Sequence, residues 1–170
     1  MSTLNVDTLQ DKAGAFEHAR LVQVVNEANA TMNTTTTASP PLDDTLPQND
    51  EGGEFLTAEI TPTNSNNKLL IEVDFPTVSH SVANANFIIS LFKDSDADAI
   101  ASSYHQLAFA GGGKQSTLRY YMTAGTTSAI TFKVRAGSST SGTVTINGLS
   151  STRYLGGALK RSMTISEIRA

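Results

Sequence analysis

Apolar and polar residues alternate with a period of two along several short stretches of this chain, and turn-forming residues separate the stretches. In residues 68–75 every odd-numbered position is apolar, and in residues 128–135 Ile130, Phe132 and Val134 alternate with smaller or polar neighbours. Because successive side chains of a β-strand point to opposite faces, this period indicates strands with one buried face. Clusters of Gly, Pro, Asn and Ser between the runs indicate turns.

The chain is predicted to form one all-β domain. Strand patterns occur at residues 20–26, 54–61, 68–75, 86–93, 116–122, 128–135, 143–147 and 162–168. The Thr-rich residues 30–39 form either an edge strand or an extended loop, residues 99–110 carry the chain back from a turn, and residues 148–157 are predicted to be a loop. Eight or more short strands with regular turn signals predict a jelly-roll-like antiparallel β-sandwich over residues 21–170, with an extended N-terminal arm at residues 1–20.

The first 20 residues carry only scattered apolar side chains, too few to bury much surface against the chain's own domain. They are predicted to form an anchoring arm that becomes ordered on a neighbouring subunit. The partner-binding residues of this arm would be Leu4, Val6, Leu9 and Phe16. The arm has neither the basic start nor the continuous apolar stretch of a signal peptide, so we expect none.

Residues 86–93 are apolar on both faces, because Phe87, Ile89 and Leu91 alternate with Ile88 and Phe92. A strand of this kind is either central in the fold or covered on its second face by another subunit. Ile88 and Phe92 are therefore predicted to be partner-binding residues at a subunit contact.

Composition argues against several classes of partner. The formal net charge of −4 offers no basic surface, so nucleic acid is not an expected partner. No apolar run approaches the roughly 20 residues of a membrane helix, so no membrane insertion is expected. The absence of cysteine excludes disulfide bonds and thiolate metal sites.

The spacing of Asp94, Asp96 and Asp98 matches the start of a calcium-binding loop, in which closely spaced carboxylates supply hard oxygen ligands. However, Ala99 occupies the position at which such a loop needs glycine, and His105 occupies the position of the bidentate glutamate. The three aspartates are therefore weak candidates for a metal site, and a solvated hairpin tip is the favoured interpretation.

The remaining polar clusters predict no catalytic residue and no cofactor. An acidic loop contains Asp43, Asp44, Asp50 and Glu51, but acid–base catalysis needs two carboxylates in different environments, which one solvated loop does not provide. The three histidines lack metal-ligand spacing, no G-x-S-x-G motif is present, and the GGGK at residues 111–114 lacks the first glycine of a phosphate loop. The chain is therefore not expected to be an enzyme. Its four tyrosines are candidates for stacking on sugars, although packing is the more common role of such residues.

Several segments carry a resemblance to a known group of proteins. They are residues 43–48 (DDTLPQ), 60–73 (ITPTNSNNKLLIEV), 91–95, 121–137 (YMTAGTTSAITFKVRAG) and 162–168. The chain resembles virion surface proteins of tailed bacteriophages, which include capsid decoration (cement) proteins and β-domains at the tips of tail fibres. The N-terminal TLNVDTLQDKAGA is similar to the leader that joins fibre and appendage proteins to the particle. None of these segments is a catalytic motif.

The resemblance implies a non-enzymatic structural protein on the virion surface, made in the host cytoplasm. Because the sequence shows an arm and one domain without a shaft or repeat, we expect a trimeric capsid decoration protein that docks through its N-terminal arm. Its partners would be further copies in a homotrimer and the major capsid protein or other virion subunits. The alternative is a short tail-fibre or collar-fibre subunit. Its β-domain would bind a host surface glycan through loops at residues 94–98, 111–115 and 137–142.

Overall fold

The computed structural model describes residues 21–36 and 41–170, and the regular elements within these ranges are strands apart from one short 3-10 helix. The strands are β1 (Leu21–Asn29), β2 (Asn33–Thr35), β3 (Gly53–Ile60), β4 (Lys68–His80), β5 (Ala85–Lys93), β6 (Ala101–Leu107), β7 (Lys114–Thr123), β8 (Ile130–Gly137), β9 (Val144–Ile146), β10 (Gly148–Leu149), β11 (Thr152–Arg153) and β12 (Arg161–Ile168). The 3-10 helix spans Leu155–Gly157. Within the described ranges, no helix has the length and apolar character needed to cross a membrane.

Ten of the twelve strands form two antiparallel sheets, and β10 and β11 form a separate hairpin. In the first sheet β12 lies between β1 and β4, β7 pairs with the other edge of β4, and β9 and β2 continue the sheet beside the last residues of β4. The second sheet has the order β3-β8-β5-β6. If β1 with β2, and β12 with β9, are each taken as one interrupted strand, the two sheets have four strands each, as in a jelly roll. The predicted all-β, jelly-roll-like sandwich is confirmed, and the predicted arm at residues 1–20 lies outside the described residues.

The core lies between the two sheets and is built from the alternating apolar positions of their strands. In β4 the inward side chains are Leu69, Ile71, Val73 and Phe75, each at most 2% exposed, as the period-two pattern predicts. In the second sheet Ile130, Phe132 and Val134 are fully buried in the same way. Among residues 21–36 and 41–170, the buried core cluster runs from residue 56 to residue 165, and Val25 of β1 packs against it, partly buried.

Strand β4 is five residues longer than predicted, because Pro76 does not end it. The pairing of β4 with β7 shifts register between Phe75 and Val78, so Pro76 lies in a bulge where no ladder hydrogen bond needs its missing N–H group. Beyond this bulge β4 pairs with β9 instead of β12.

The predicted loop at residues 148–157 contains a small hairpin of β10 and β11. Its two turn residues, Ser150 and Ser151, have φ values of 47° and 60°. Positive φ at both central positions is the geometry of a type I′ turn, which usually carries Asn or Gly. The loop prediction was wrong here because serine does not signal this turn.

Strand β5 is central in the second sheet, between β8 and β6, which is one of the two predicted arrangements. Its outward side chains are nevertheless buried within this single chain: Ile88 is 5% and Phe92 is 2% exposed. The loop at residues 41–47 runs beside Ile88 on the outer side of this sheet. The subunit contact predicted at these two residues stays a prediction.

Candidate functional site

The acidic loop at residues 43–51 is an ordered turn system. The Asp43 Oδ1 atom accepts hydrogen bonds from the backbone N–H of Thr45 at 2.9 Å and from its hydroxyl at 2.6 Å. These bonds hold the pKa of Asp43 below its usual value. Further along, the Glu51 carboxylate accepts a bond from the backbone N–H of Gln48 at 2.8 Å. Two of the four acidic residues therefore fix the path of the loop.

The end of this loop is hydrogen-bonded to the turn that follows β5. The Gln48 side chain donates to the Asp98 carboxylate at 2.8 Å, and two backbone bonds join Asn49 to Ala97 and Pro47 to Ala99. The Arg135 guanidinium of β8 donates to the carbonyls of residues 51 and 52, at 2.9 and 2.7 Å. The loop is thus held on one side by the turn at residues 97–99 and on the other by Arg135.

The weak metal candidates lie in this turn but have separate roles. The Asp94 carboxylate accepts the backbone N–H of Thr131 at 2.8 Å and lies 3.4 Å from the Lys93 ammonium. The Asp98 carboxylate accepts from Gln48, whereas Asp96 contributes backbone bonds. Among residues 21–36 and 41–170, no three His, Cys, Asp or Glu side chains come together as ligands for a metal ion.

A groove of about 260 Å³ lies between the start of this loop and the β5–β6 pair. Its lining residues are Pro41, Leu42, Asp43, Thr45, Pro47, Ile88, Ser102, Ser103 and Tyr104. Tyr104 is 52% exposed and lies directly across the strand pair from the buried Ile88. The groove therefore combines an accessible aromatic ring with hydroxyl groups and one carboxylate, which are groups that can recognise a small polar ligand.

A buried carboxylate joins the closing strand β12 to the turn between β3 and β4. Glu167, 0% exposed, accepts hydrogen bonds from Gln23 Nε2 and Asn67 Nδ2, both at 2.6 Å. The backbone N–H and the hydroxyl of Thr63 also donate to it, each at 2.9 Å. Burial alone raises the pKa of Glu167, but the bonds from Asn67, Gln23 and Thr63 together outweigh it and hold the pKa below its usual value.

Asn67 extends this cluster, because its carbonyl accepts the N–H of Ala124 at 2.8 Å. The segments ITPTNSNNKL, YMTAG and the closing strand therefore meet around Glu167. The sequence analysis did not single out Glu167. The signal was present, since a glutamate occupies an inward position of β12, in the same row as Met163 and Ile165.

Arg161 begins that same inward row, and the sequence analysis also missed it. It is 4% exposed, and its guanidinium donates to the carbonyls of Phe55 at 3.1 Å and Thr31 at 2.8 Å. The guanidinium carbon lies 5.5 Å from the centre of the Phe55 ring, a cation–π distance. Burial lowers the pKa of Arg161. Its positive charge is stabilised by the two backbone carbonyls and by the face of the Phe55 ring.

The outer face of the first sheet carries aligned rows of side chains across four strands. One row contains Val24, Ser166, Leu70 and Tyr121, of which Val24 and Tyr121 are 49% and 55% exposed. The next row includes an ion pair of 2.7 Å between Glu72 and Arg119. Leu21 and Ile168 flank the first row on the β1–β12 side, while the same flanking row continues through the hydrogen-bonded pair of Lys68 and Thr123. We call Leu21, Val24, Leu70, Tyr121 and Ile168 the apolar end of the first sheet.

Two of the three histidines lie inside the sandwich, and His18 lies outside the described residues. His80 is 1% exposed and its Nδ1 atom accepts the N–H of Val82 at 3.1 Å. The ring of His105 lies 5.6 Å from that of Phe87. Burial, with a smaller contribution from the Lys114 charge, lowers the pKa of His105 to about 4. Both are packed side chains and neither belongs to a metal cluster among the described residues.

The lowered pKa of His105 predicts that the stability of the domain depends on pH. Between about pH 6.5 and pH 4 the unfolded chain binds a proton at this residue and the folded chain does not, so stability falls as the pH falls through this window. The loss should be on the order of 2 kcal/mol. Urea unfolding of the parent and of His105→Gln at several pH values measures it. We expect the difference between the two proteins to change by this amount, and a constant difference would contradict the expectation.

The other predicted residues are dispersed. Leu4, Val6, Leu9 and Phe16 lie outside the described residues. Residues 111–113 belong to the connection between β6 and β7, where the N–H of Gly111 donates to the His80 carbonyl at 2.7 Å, and Lys114 begins β7. Of the four tyrosines, Tyr120 packs against the core, while Tyr104, Tyr121 and Tyr154 are exposed on different elements. They form no common platform.

Comparison with known proteins gives a family and distant structural likenesses. A family model described as the Pgp3 C-terminal domain matches residues 42–170. No curated protein matches the chain. One similar structure is the EclA C-terminal domain, a sugar-binding protein, at 19% identity, with 85% of this chain and 89% of that chain covered and a TM-score of 0.39.

Two further structures belong to viruses, and this chain spans less than half of each. A chain of infectious bursal disease virus Gx strain is 13% identical, with 98% of this chain and 41% of that chain covered and a TM-score of 0.43. The enzymatically active domain of bacteriophage CBA120 tailspike protein 4 is 14% identical, with 74% and 19% covered and a TM-score of 0.28. Similarities this low support no functional argument. The family match, which includes the segments that resemble phage virion proteins, covers well over half of the sequence, and the chain belongs to the Pgp3 C-terminal domain family.

Proposed function

We propose that this protein is a non-enzymatic structural component of a phage particle, attached through residues 1–20. The observation that carries the proposal is that residues 21–36 and 41–170 already enclose a hydrophobic core, whose buried residues run from 56 to 165. Strand β1 begins at Leu21 on the edge of the first sheet, with Leu21 58% exposed. The described residues thus supply a packed core of their own, and the proposal assigns residues 1–20 to contact with another protein.

The favoured role is that of a trimeric capsid decoration protein. The apolar side chains of each arm would contribute about 25 cal/mol per Å² of apolar area buried on the capsid. Three linked arms would bind far more tightly than one, because the second and third contacts are intramolecular. The apolar end of the first sheet supports a contact between copies better than Ile88 and Phe92 do, since these two side chains are already buried within the chain.

The use of the acidic side chains supports a structural role over an enzymatic one. Asp43, Glu51 and Asp98 hold the loop at residues 43–51 in place, and Glu167 joins the closing strand to the β3–β4 turn. Carboxylates used in this way are engaged by hydrogen-bond donors of the same chain. A general acid or base would instead face a site where substrate can bind.

Deletion of residues 1–20 tests the attachment. We expect the truncated protein to unfold within about 0.5 kcal/mol of the full chain, because the proposal assigns residues 1–20 to contact with another protein and not to the core. It should fail to join particles assembled without the native protein. Chemical denaturation and sedimentation with purified particles measure the two properties.

A matched pair of arm variants tests whether particle binding depends on the apolar side chains of the arm or only on the presence of the arm. In the first, Leu4, Val6, Leu9 and Phe16 are replaced by serine, and in the second Gln10, Asp11 and Lys12 are replaced by serine. We expect the first to lose particle binding and the second to retain it. Normal incorporation of the truncated protein would overturn the attachment proposal.

A second candidate function is that of a short fibre or collar subunit that binds a host glycan. The groove beside Tyr104 favours it, because a decoration role does not require such a groove. Quantitative mass spectrometry of virions distinguishes the two candidates. A copy number comparable to that of the major capsid protein indicates decoration, and a far smaller number indicates a fibre or collar.

A further inference from the structure

The Tyr104 groove is walled on one side by an aromatic ring held by the sheet. Tyr104 pairs with Ile88 across the β5–β6 ladder, and the burial of Ile88 fixes the floor beneath the ring. Its hydroxyl has no hydrogen-bond partner in the part of the chain that the structure describes, and half of the side chain is exposed. A tyrosine provides rigid contact area at low entropic cost, so this ring can stack on a flat apolar surface.

The opposite wall carries oxygen atoms with free hydrogen-bonding capacity. Asp43 uses Oδ1 for both bonds from Thr45, and its Oδ2 atom accepts no bond from the residues that the structure describes. The same bonds keep its carboxylate ionised by lowering its pKa. Ser102 shares one hydrogen bond of 3.0 Å with Ser90 and retains further capacity, since a hydroxyl has one donor and two acceptor sites.

The charge and size of the groove narrow the class of ligand. Its nine lining residues include Asp43 but no Lys, Arg or His, so phosphate, sulfate and carboxylate groups would be repelled. Its volume of about 260 Å³ lies below the range of about 300–1,000 Å³ for drug-sized ligands, which suits a single ring. A neutral hexose has an apolar face of C–H groups and a rim of hydroxyls, which matches a ring beside a carboxylate.

We propose that this groove binds one neutral hexose residue of a glycan, with its apolar face on Tyr104 and its hydroxyls donating to Asp43. The site gives the second candidate function a location on the outer side of the second sheet. Its lining includes no residue of the loops at residues 94–98, 111–115 and 137–142 that the sequence predicted for this role. It does not rest on the attachment through residues 1–20.

Saturation-transfer NMR of the full chain with free glucose, galactose, mannose and N-acetylglucosamine tests the proposal. At least one of these sugars should receive saturation from the protein. Tyr104→Ala should weaken its binding about tenfold, because stacking is lost. Tyr104→Phe should stay within about threefold of the parent, because the ring remains. Asp43→Asn, which can still cap Thr45, should also weaken binding about tenfold.

Tyr154→Ala provides the matched control, because Tyr154 is 47% exposed but lies outside the groove. We expect it to bind sugar like the parent. Three results would overturn the proposal: no neutral hexose binds, Tyr104→Ala and Tyr154→Ala behave alike, or sialylated and sulfated glycans are preferred. Each result leaves the attachment proposal standing, because particle binding by the arm is measured separately.

Discussion

Replacement of Glu167 by alanine is expected to destabilise the domain by about 3 kcal/mol, a large share of the 5–15 kcal/mol of a typical domain. The carboxylate accepts four hydrogen bonds in a fully buried site. Its removal leaves the backbone N–H of Thr63 without a partner, and it weakens the hold of Asn67 on the turn that precedes β4. For a chain of this size the melting temperature should fall by about 9 °C.

Two further variants isolate the cause of this loss. Glu167→Gln keeps the size and shape of the side chain but replaces one carboxylate oxygen by an NH2 group, which faces hydrogen-bond donors. We therefore expect it to cost roughly half as much free energy of unfolding as Glu167→Ala. Glu72→Gln removes a carboxylate that forms a partly exposed ion pair with Arg119, and it should cost less than about 1 kcal/mol. Equal effects of Glu167→Ala and Glu72→Gln on urea unfolding would refute the structural role of the buried carboxylate.

The contribution of Glu167 also has a defined pH range. Its pKa in the folded chain is held below the usual value, so its stabilising effect is fully present above the unfolded pKa of about 4.3 and is lost as the pH falls through the folded pKa. The effect of His105 begins at higher pH, near 6.5. Acid unfolding should therefore show the histidine effect first and the glutamate effect second.

The sequence predicted the strands with alternating patterns well, because their burial depends on local periodicity. Residues 68–75 and 128–135 face the core as predicted, and Phe87, Ile89 and Leu91 do so in the central strand β5. The extension of β4 through Pro76 was missed, because the bulge that tolerates this proline depends on a change of partner strand. Pairing between strands that are distant in the sequence cannot be predicted from the pattern of neighbouring residues.

The contacts of the polar groups could not be predicted from the local sequence either. The acidic loop at residues 43–51 looks like a solvated loop in the sequence, since its contacts are with the turn at residues 96–99 and with Arg135. Glu167 is 100 positions or more from each of its partners. The Tyr104 groove likewise needs the loop at residues 41–47 to lie beside β6. Each site depends on which loops the jelly roll brings together.

Replacement of Phe75 by alanine is expected to have the largest effect on stability, about 4 kcal/mol or roughly 12 °C in melting temperature. Phe75 is 0% exposed and makes edge-to-face contacts with Phe55 at 6.4 Å and with Phe87 at 6.0 Å between ring centres. It precedes the bulge at which β4 changes partners, so the surrounding strands cannot collapse easily into the cavity.

Phe109→Ala is the matched control for Phe75→Ala, because it removes the same ring from a position that is 77% exposed. It should change the free energy of unfolding by less than about 0.5 kcal/mol. Phe75→Leu should fall between the two, because it leaves a smaller cavity. A loss below about 1 kcal/mol for Phe75→Ala would show that the core repacks around the missing ring. The contact from Phe55 through Phe75 to Phe87 would then not be what holds the two sheets together.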